Sequence, residues 1–282
     1  MTTALVFAGG GSLGAIQVGM LKALAEGDVR ADFLVGSSVG AINAAYFAVD
    51  PTIRGAEQLE LIWRSLRRDD IFHLSWWGGL KGLLGKRSYL FDGETFHRFL
   101  ASNLPYRQFE ETKLPLHIVT SDFISGEEVI LSQGAVLPAL QASAAIPGVF
   151  PAVEIAGRFL MDGGVANHTP VSTAVRLGAS RLIVLPTGIS CALTKPPDGA
   201  VDTALHALNL VIARQLLQDL EAYQDQAEIF VIPPLCPQRT HPLDFHAAGD
   251  LIAQGYEMTR QWLANDGLQK KGSFAVVMPH RH

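Results

Sequence analysis

Short continuous apolar runs alternate along this chain with longer segments in which apolar residues recur at helical spacing. Continuous apolar runs are typical of strands that are buried on both faces of a sheet, and apolar residues three and four positions apart are typical of the helices that cover it. The pattern therefore predicts an α/β fold, a three-layer α/β/α sandwich with a mostly parallel central sheet, as one domain over residues 1–282. The predicted strands begin near residues 4, 33, 116, 128, 158, 182 and 229. The predicted helices span 15–25, 41–49, 52–68, 94–104, 133–145, 167–177, 200–226 and 251–263, and the helix of 167–177 is expected to begin near Pro170.

One segment, at about 71–93, departs from this alternation. Aromatic residues, Trp76 and Trp77 among them, are interleaved there with glycines and with the cations Lys81 and Lys86. Apolar, aromatic and basic residues together are typical of a membrane interface, although aromatic residues more often pack in a core. We expect an insertion that packs on the main core or, if the segment is exposed, a lid with a peripheral membrane contact through the two tryptophans.

Net charge argues against one class of partner. The chain carries 22 Lys and Arg against 27 Asp and Glu, for a formal charge of −5 at pH 7, and no block of like charge stands out. Nucleic-acid binding needs a concentration of positive charge. Nucleic acid is therefore not an expected partner.

The N-terminal stretch and the cysteines bear on cellular location. Thr2 to Leu21 has no charged residue over a length that could span a bilayer, but Gly9-Gly10-Gly11 interrupts it and no Lys or Arg precedes it. We therefore expect neither a transmembrane helix nor a targeting segment. Cys191 and Cys236 are too few for a disulfide framework and are predicted to be reduced thiols, with a single bridge between them as the alternative. Together these features favour a cytoplasmic protein, with peripheral association at a membrane left open.

A glycine-rich loop follows the first predicted strand. Gly9 to Gly14 matches G-x-G-x-x-G between a strand and a helix, which is the context of a dinucleotide-binding loop. That function also requires an acidic residue at the end of the second strand, where this chain has Gly36-Ser37-Ser38. The alternative is that the loop amides donate hydrogen bonds to an oxyanion formed when Ser38 attacks a carbonyl group.

The second strand leads into the pattern of a nucleophile elbow. Gly36-x-Ser38-x-Gly40 lies between an apolar run and a helix, so Ser38 is predicted on a tight turn that lifts its hydroxyl above the sheet. The flanking glycines, with Val39 between Ser38 and Gly40, leave room for the neighbouring strand and helix. Taken alone, the same residues also fit a simple turn with a serine helix cap.

A nucleophilic serine needs a base. Asp162-Gly163-Gly164 follows a predicted strand end, and a carboxylate there could take the serine proton directly, although Asp-Gly is also a common turn signal. Histidine is the alternative base, and His168, six positions after Asp162, has the best placement of the later histidines.

Four motifs, taken together in order, resemble those of patatin-like phospholipases: Gly9 to Gly14, Gly36 to Gly40, Ala142 to Pro151, and Asp162 to Gly164. The resemblance reaches from the first strand to about Pro170. It implies hydrolysis of lipid acyl esters by a serine–aspartate dyad without histidine, on an α/β/α fold. By motif, Ser38 would be the nucleophile and Asp162 its base. The oxyanion hole would lie in Gly9-Gly10-Gly11, with Gly10 and Gly11 as the chief donors.

One position departs from that family, which usually carries Arg or Lys where this chain has Leu13. Leucine retains a backbone amide, so an oxyanion hole remains feasible, but any attraction of an anionic head group is lost. The expected substrate is therefore a lipid acyl ester rather than specifically a phospholipid. No spacing matches a standard metal-ligand pattern, so neither metal nor cofactor is expected. A non-catalytic lipid-binding module and a dinucleotide-binding enzyme remain the alternatives, and the oligomeric state is not predicted.

Overall fold

A computed structural model of the protein describes residues 1–72, 88–188, 199–236, 244–270 and 274–277. Most of the segment predicted as a lid, including Trp76 and Trp77, lies outside these residues. The lid and the membrane contact therefore stay predictions.

Five parallel strands form the centre of the sheet, in the order β3-β2-β1-β7-β8. Most of their interior positions are apolar and buried, because helices cover both faces of the sheet. The strands are β1 (Thr3–Phe7), β2 (Phe33–Ser37), β3 (Leu116–Asp122), β7 (Arg181–Leu185) and β8 (Glu228–Val231).

Three antiparallel strands join the sheet at β3. They are β4 (Glu128–Leu131), β5 (Val153–Ile155) and β6 (Arg158–Asp162). Strands β4 and β6 both pair with β3, and β5 pairs with β6. The sheet is therefore mixed, and β6, which carries Asp162, runs antiparallel to β3.

The pairing registers show where β6 lies. Ile118 and Val119 of β3 pair with both β2 and β4, so these two strands flank β3 on opposite sides. Thr120 and Ser121 pair with both β4 and β6, so β6 shares the β2 side. Because β2 runs parallel and β6 antiparallel to β3, the two strands run towards each other along one edge of β3. Their carboxyl ends meet there.

Alternate residues of the strands serve two cores. Leu5 and Phe7 of β1 belong to one hydrophobic cluster, and Ala4 and Val6 belong to the other. The first core is covered by α1 (Ala15–Glu26), α2 (Val39–Val49), α3 (Ile53–Ser65), α4 (Glu94–Asn103), α5 (Val136–Ser143) and α9 (Ala248–Ala264).

The second core is covered by two helices that follow the Asp162 turn. A single turn, α6 (Gly164–Asn167), precedes them, and the covering helices are α7 (Val171–Arg176) and α8 (Ala200–Tyr223). The helix predicted to begin near Pro170 is α7, which starts at Val171. The chain leaves the helical path between α6 and α7, where Pro170 has no amide hydrogen to donate. Helices on both faces of a mixed sheet confirm the α/β/α sandwich.

Two further expectations concern location. Cys236 forms a disulfide bond, so the prediction of reduced thiols is wrong for this residue; its partner lies outside the described residues. Among the residues that the structure describes, no helix combines the length and apolarity needed to cross a bilayer.

Candidate active site

Ser38 occupies the turn between β2 and α2 in a strained backbone conformation. Its φ of 53° and ψ of −126° lie in a region that residues with a side chain rarely adopt. The turn is tight: a Cβ on Gly40 would lie 2.5 Å from the carbonyl oxygens of Phe7 and Ala8, and one on Gly36 would lie 2.6 Å from the Gly40 backbone. Only glycine fits these two positions, so the predicted elbow is present and raises Ser38 above the end of β2.

Ser143, the last residue of α5, holds this turn. The Ser38 amide donates a hydrogen bond to Ser143 Oγ at 2.9 Å, and Ser143 Oγ donates to the Val119 carbonyl oxygen at 2.7 Å. Ser143 is fully buried. The sequence motif Ala142 to Pro151 contains this residue but did not reveal its contact with Ser38, which depends on the packing of α5 against β3.

Asp162 meets Ser38 where β2 and β6 converge. Ser38 Oγ donates a hydrogen bond to Asp162 Oδ2 at 2.7 Å, and the Gly164 amide donates to Oδ1 at 2.7 Å. The next residue, Gly163, passes so close to β3 that a Cβ there would lie 2.2 Å from the Val119 carbonyl oxygen. The two glycines thus allow the carboxylate to approach the elbow.

Ser121 fixes the backbone on either side of the aspartate. Its hydroxyl donates to the Asp162 carbonyl oxygen at 2.8 Å and accepts from the Ala166 amide at 3.0 Å. Asp162 is therefore held in place through its carboxylate and through the backbone on either side of it.

Burial changes the acidity of Asp162. The side chain is buried, and burial raises its pKa to about 6, against the opposing effect of the hydrogen bonds from Ser38 and Gly164. A carboxyl group with a pKa near 6 is ionised at neutral pH and is a stronger base than an ordinary aspartate. Asp162 can therefore accept a proton from Ser38 across their existing hydrogen bond.

The glycine loop lies against Ser38. A Cβ on Gly9 would lie 3.4 Å from Ser38 Cβ, and Gly11 borders the same pocket as Ser38. The Gly9 amide already donates to the His168 carbonyl oxygen at 2.9 Å. Gly9 is therefore not available as an oxyanion donor, contrary to the expectation that placed it in the oxyanion hole. Among the described residues, the amides of Gly10 and Gly11 have no hydrogen-bond acceptor and remain candidate donors.

The rest of the loop turns back on itself and packs against its surroundings, with the Leu13 amide donating to the Gly10 carbonyl oxygen at 3.2 Å. Gly11 to Gly14 form a short 3₁₀ turn, and a Cβ on Gly14 would lie 2.6 Å from a methyl group of Val39. Leu13 packs against the first core, so the position that is usually basic in the family contributes apolar contact here.

A buried polar network supports the loop from below. Gln17 Nε2 donates to the carbonyl oxygens of Ala8 and Leu185, each at 2.9 Å, while its Oε1 accepts from Asn43 Nδ2 at 2.8 Å. Asn43 Oδ1 in turn accepts from Trp63 Nε1 at 2.9 Å. Each of these four hydrogen bonds is buried within the protein, which makes the support of the loop rigid.

His168 lies near Ser38 and Asp162 but makes no hydrogen bond to either within the described residues. A Cβ on Gly9 would lie 3.1 Å from His168 Nε2, which places the imidazole next to the glycine loop. Burial lowers the pKa of His168 to about 4, so the ring is neutral at pH 7. Its ring contact is with Thr169 Oγ1 at 3.5 Å, whereas the Ser38 hydroxyl donates to Asp162. The geometry therefore favours the aspartate over the histidine as the partner of Ser38.

An apolar pocket opens beside Ser38, between the elbow and the helices that cover the first core. Aromatic and aliphatic side chains make up nearly all of its wall. The lining residues are Gly11, Ser38, Val39, Ile42, Tyr46, Leu59, Ile62, Trp63, Leu66, Ile71, Phe72, Phe96, Phe99, Ala144, Ile146, Phe150 and Phe245.

The described residues contain no group of three or more His, Cys, Asp or Glu side chains placed to hold a metal ion. Ser38 and Gly11 line the apolar pocket, and the Ser38 hydroxyl is hydrogen-bonded to the Asp162 carboxylate.

Fold and site together define the class of protein: an α/β/α sandwich with a serine on a nucleophile elbow, hydrogen-bonded to an aspartate beside a glycine loop. The family model for patatin-like phospholipase matches residues 5–175, more than half of the chain. The protein belongs to the patatin-like phospholipase family.

Two curated proteins illustrate the similarity to individual relatives. The chain is 30% identical over 187 residues to patatin-like phospholipase domain-containing protein 7 of Rattus norvegicus, and 28% identical over 184 residues to lysophospholipase nte1 of Aspergillus terreus. These matches cover 66% and 65% of this chain but only 13% and 12% of the relatives, which are far longer. Among solved structures, VipD from Legionella pneumophila aligns with a TM-score of 0.45 and 15% identity, over 94% of this chain and 66% of VipD.

Proposed function

We propose that this protein is a serine hydrolase that cleaves acyl ester bonds of lipids, in the manner of a phospholipase A or a lysophospholipase. The observation that carries the proposal is the 2.7 Å hydrogen bond from Ser38 Oγ to Asp162 Oδ2, beside an apolar pocket that Ser38 lines. Family membership supports the reaction class, and the name of the fungal relative supports the lysophospholipase variant.

The proposed reaction proceeds through an acyl-enzyme. Asp162 accepts the proton of the Ser38 hydroxyl as Oγ forms a bond to the ester carbonyl carbon. The amides of Gly10 and Gly11 stabilise the oxyanion of the tetrahedral intermediate. As the carbon–oxygen bond to the alcohol breaks, Asp162 returns the proton to the leaving oxygen. A water molecule then attacks the acyl-enzyme, with Asp162 taking its proton and passing it to Ser38 Oγ, which releases the fatty acid.

The pocket argues for a long acyl chain as the part of the substrate that is recognised. Its wall is almost wholly apolar, and Ser38 is one of its lining residues, so an acyl chain bound there would have its carbonyl group within reach of the nucleophile. Transfer of an apolar chain out of water supplies binding free energy without a specific polar contact. Because Leu13 leaves the glycine loop without a cation, we assign the specificity to the acyl chain and not to an anionic head group.

We also propose that residues 1–282 form one domain. The last long helix, α9, packs along α1, and both contribute to the core that the central strands share. The late helix α9 thus packs against α1, the helix that follows the first strand, and this contact supports a single domain.

The test is hydrolysis of p-nitrophenyl octanoate together with labelling by a fluorophosphonate. We expect Ser38→Ala and Asp162→Asn each to abolish turnover, and the modified peptide of the wild type to contain Ser38. Ser37→Ala is the matched control, because Ser37 Oγ is buried beside the nucleophile and makes no hydrogen bond within the described part of the chain. It should keep turnover near that of the wild type.

Other outcomes identify the alternatives. Retained turnover in either dyad variant would refute the proposed mechanism. Lipid binding by a wild type that neither turns over the ester nor reacts at Ser38 would indicate a binding module, and a nucleotide copurifying with the protein, detected by absorbance, would indicate the dinucleotide-binding alternative.

A further inference from the structure

The peptide group between Gly9 and Gly10 is held by a threonine from a distant part of the chain. Thr187, two residues beyond the end of β7, is buried, and its Oγ1 donates a hydrogen bond to the Gly9 carbonyl oxygen at 2.5 Å. The Gly9 amide is bound on its other side, to the His168 carbonyl oxygen at 2.9 Å. Gly9 therefore has both its main-chain donor and its main-chain acceptor occupied.

Fixing that carbonyl group also fixes a candidate oxyanion donor. A trans peptide is planar, with its C=O and N–H bonds pointing from opposite edges. When Thr187 holds the Gly9 carbonyl oxygen on one side, the Gly10 N–H of the same peptide points to the other side. That N–H has no acceptor among the described residues, so it is free to bind a ligand atom.

The loop would not keep this orientation by itself. Gly10 has a φ of 147°, and two consecutive glycines rotate more freely than other residues. A rotated peptide would turn the Gly9 carbonyl dipole towards the site, where its negative end would repel an oxyanion instead of stabilising it.

Thr187 also packs against the loop. A Cβ on Gly10 would fall 2.3 Å from Thr187 Oγ1 and 3.0 Å from its methyl carbon, so the threonine side chain fills the space beside the glycine. The contact and the hydrogen bond come from the same side of the loop.

We propose that Thr187 is a positioning residue that orients the Gly10 amide as an oxyanion donor. Thr187 acts through the Gly9–Gly10 peptide and does not touch the substrate. The inference rests on the proposed function, because it assigns a role in stabilising the intermediate of that reaction. Its effect should appear in kcat, since an oxyanion donor binds charge that exists only during the reaction and contributes little to binding the uncharged ester.

Two substitutions separate the hydroxyl from the packing. Thr187→Val keeps the shape and removes the hydroxyl, while Thr187→Ser keeps the hydroxyl and removes a methyl group. Removing an oxyanion donor outright lowers kcat by about 10²- to 10³-fold in known cases, and loosening one should cost less, so we expect a fall of about 10- to 100-fold in Thr187→Val. KM should stay within about twofold, and Thr187→Ser should restore most of the lost kcat.

Thr259→Val is the matched control. Thr259 is a fully buried threonine of α9 whose Oγ1 also donates to a backbone carbonyl oxygen, that of Gly255, at 2.7 Å. It should leave kcat at the wild-type value, and thermal unfolding midpoints of all variants will show whether loss of fold explains any loss of rate.

The outcomes are distinct. Wild-type kcat in Thr187→Val, an equal loss in Thr187→Ser, or a change confined to KM would each overturn the inference while leaving the hydrolase proposal intact. A wild type that neither hydrolyses the ester nor is labelled at Ser38 would overturn both.

Discussion

Asp162→Asn should stabilise the protein in a pH-dependent way while removing its activity. Burial raises the pKa of Asp162 from 3.8 to about 6, which means that the folded protein binds a proton at this site more tightly than the unfolded chain does. Stability then falls as pH rises from the unfolded pKa through the folded pKa, because the folded state must give up a proton that it favours. Asparagine has no charge to bury and escapes this loss.

The structure sets the size of the effect. The difference between about 6 and 3.8, at 1.36 kcal/mol per pH unit, amounts to about 3 kcal/mol of lost stability once Asp162 is ionised in both states. About 2 kcal/mol of this falls between pH 4.5 and pH 8. The amide can still accept the Gly164 N–H bond and donate to Ser38 Oγ, so no hydrogen bond is lost to offset the gain.

The assay is urea unfolding of the wild type and of Asp162→Asn at several pH values from 4.5 to 8. The unfolding free energy of the variant minus that of the wild type should grow by about 2 kcal/mol across this range. Taking the difference cancels the titration of other groups that both proteins share. A difference that is independent of pH, or that shrinks as pH rises, would show that Asp162 does not have a raised pKa.

Three further predictions concern rate, specificity and stability. The value of kcat/KM should fall tenfold per pH unit below about pH 6 and level off above it, since Asp162 must be ionised to accept the serine proton; an acid limb near pH 4 would contradict its role as base. Ile42→Trp, which adds bulk to the apolar pocket one helical turn beyond Ser38, should lower kcat/KM for p-nitrophenyl palmitate much more than for the butyrate, whereas Leu61→Trp on the exposed face of α3 should change neither. Gln17→Met should lower the free energy of unfolding by about 2–4 kcal/mol, because it leaves buried polar partners unpaired, while the exposed Gln261→Met should change it by less than about 0.5 kcal/mol in urea unfolding.

Local features of the site could be predicted because neighbouring residues encode them. The elbow depends on Gly36 and Gly40 fitting against the backbone on either side of Ser38, and those residues stand two positions from the serine. The glycine loop follows directly from β1 in the same way. The order of apolar runs and helical segments likewise predicted the α/β/α sandwich.

Sequence reasoning missed the residues that act across the fold. Thr187 lies 178 positions from Gly9, and Ser143 lies 105 positions from Ser38, so no local pattern connects either pair. A signal was available for Thr187, which follows a predicted parallel strand and therefore emerges at the same edge of the sheet as the elbow. For Ser143 the only signal was its place in a family motif.

The sequence by itself determined most of the strands and helices and which residues carry reactive groups: a serine on a tight turn, an aspartate before two glycines and a loop of small residues. Only the tertiary structure decided that Ser38 and Asp162, 124 positions apart, share a hydrogen bond. They meet because β2 and β6 run towards each other along one edge of β3, an arrangement set by strand pairing between distant segments. Burial at that meeting point is also what raises the pKa of Asp162, because desolvation depends on every group packed around the carboxylate and not on its neighbours in the chain.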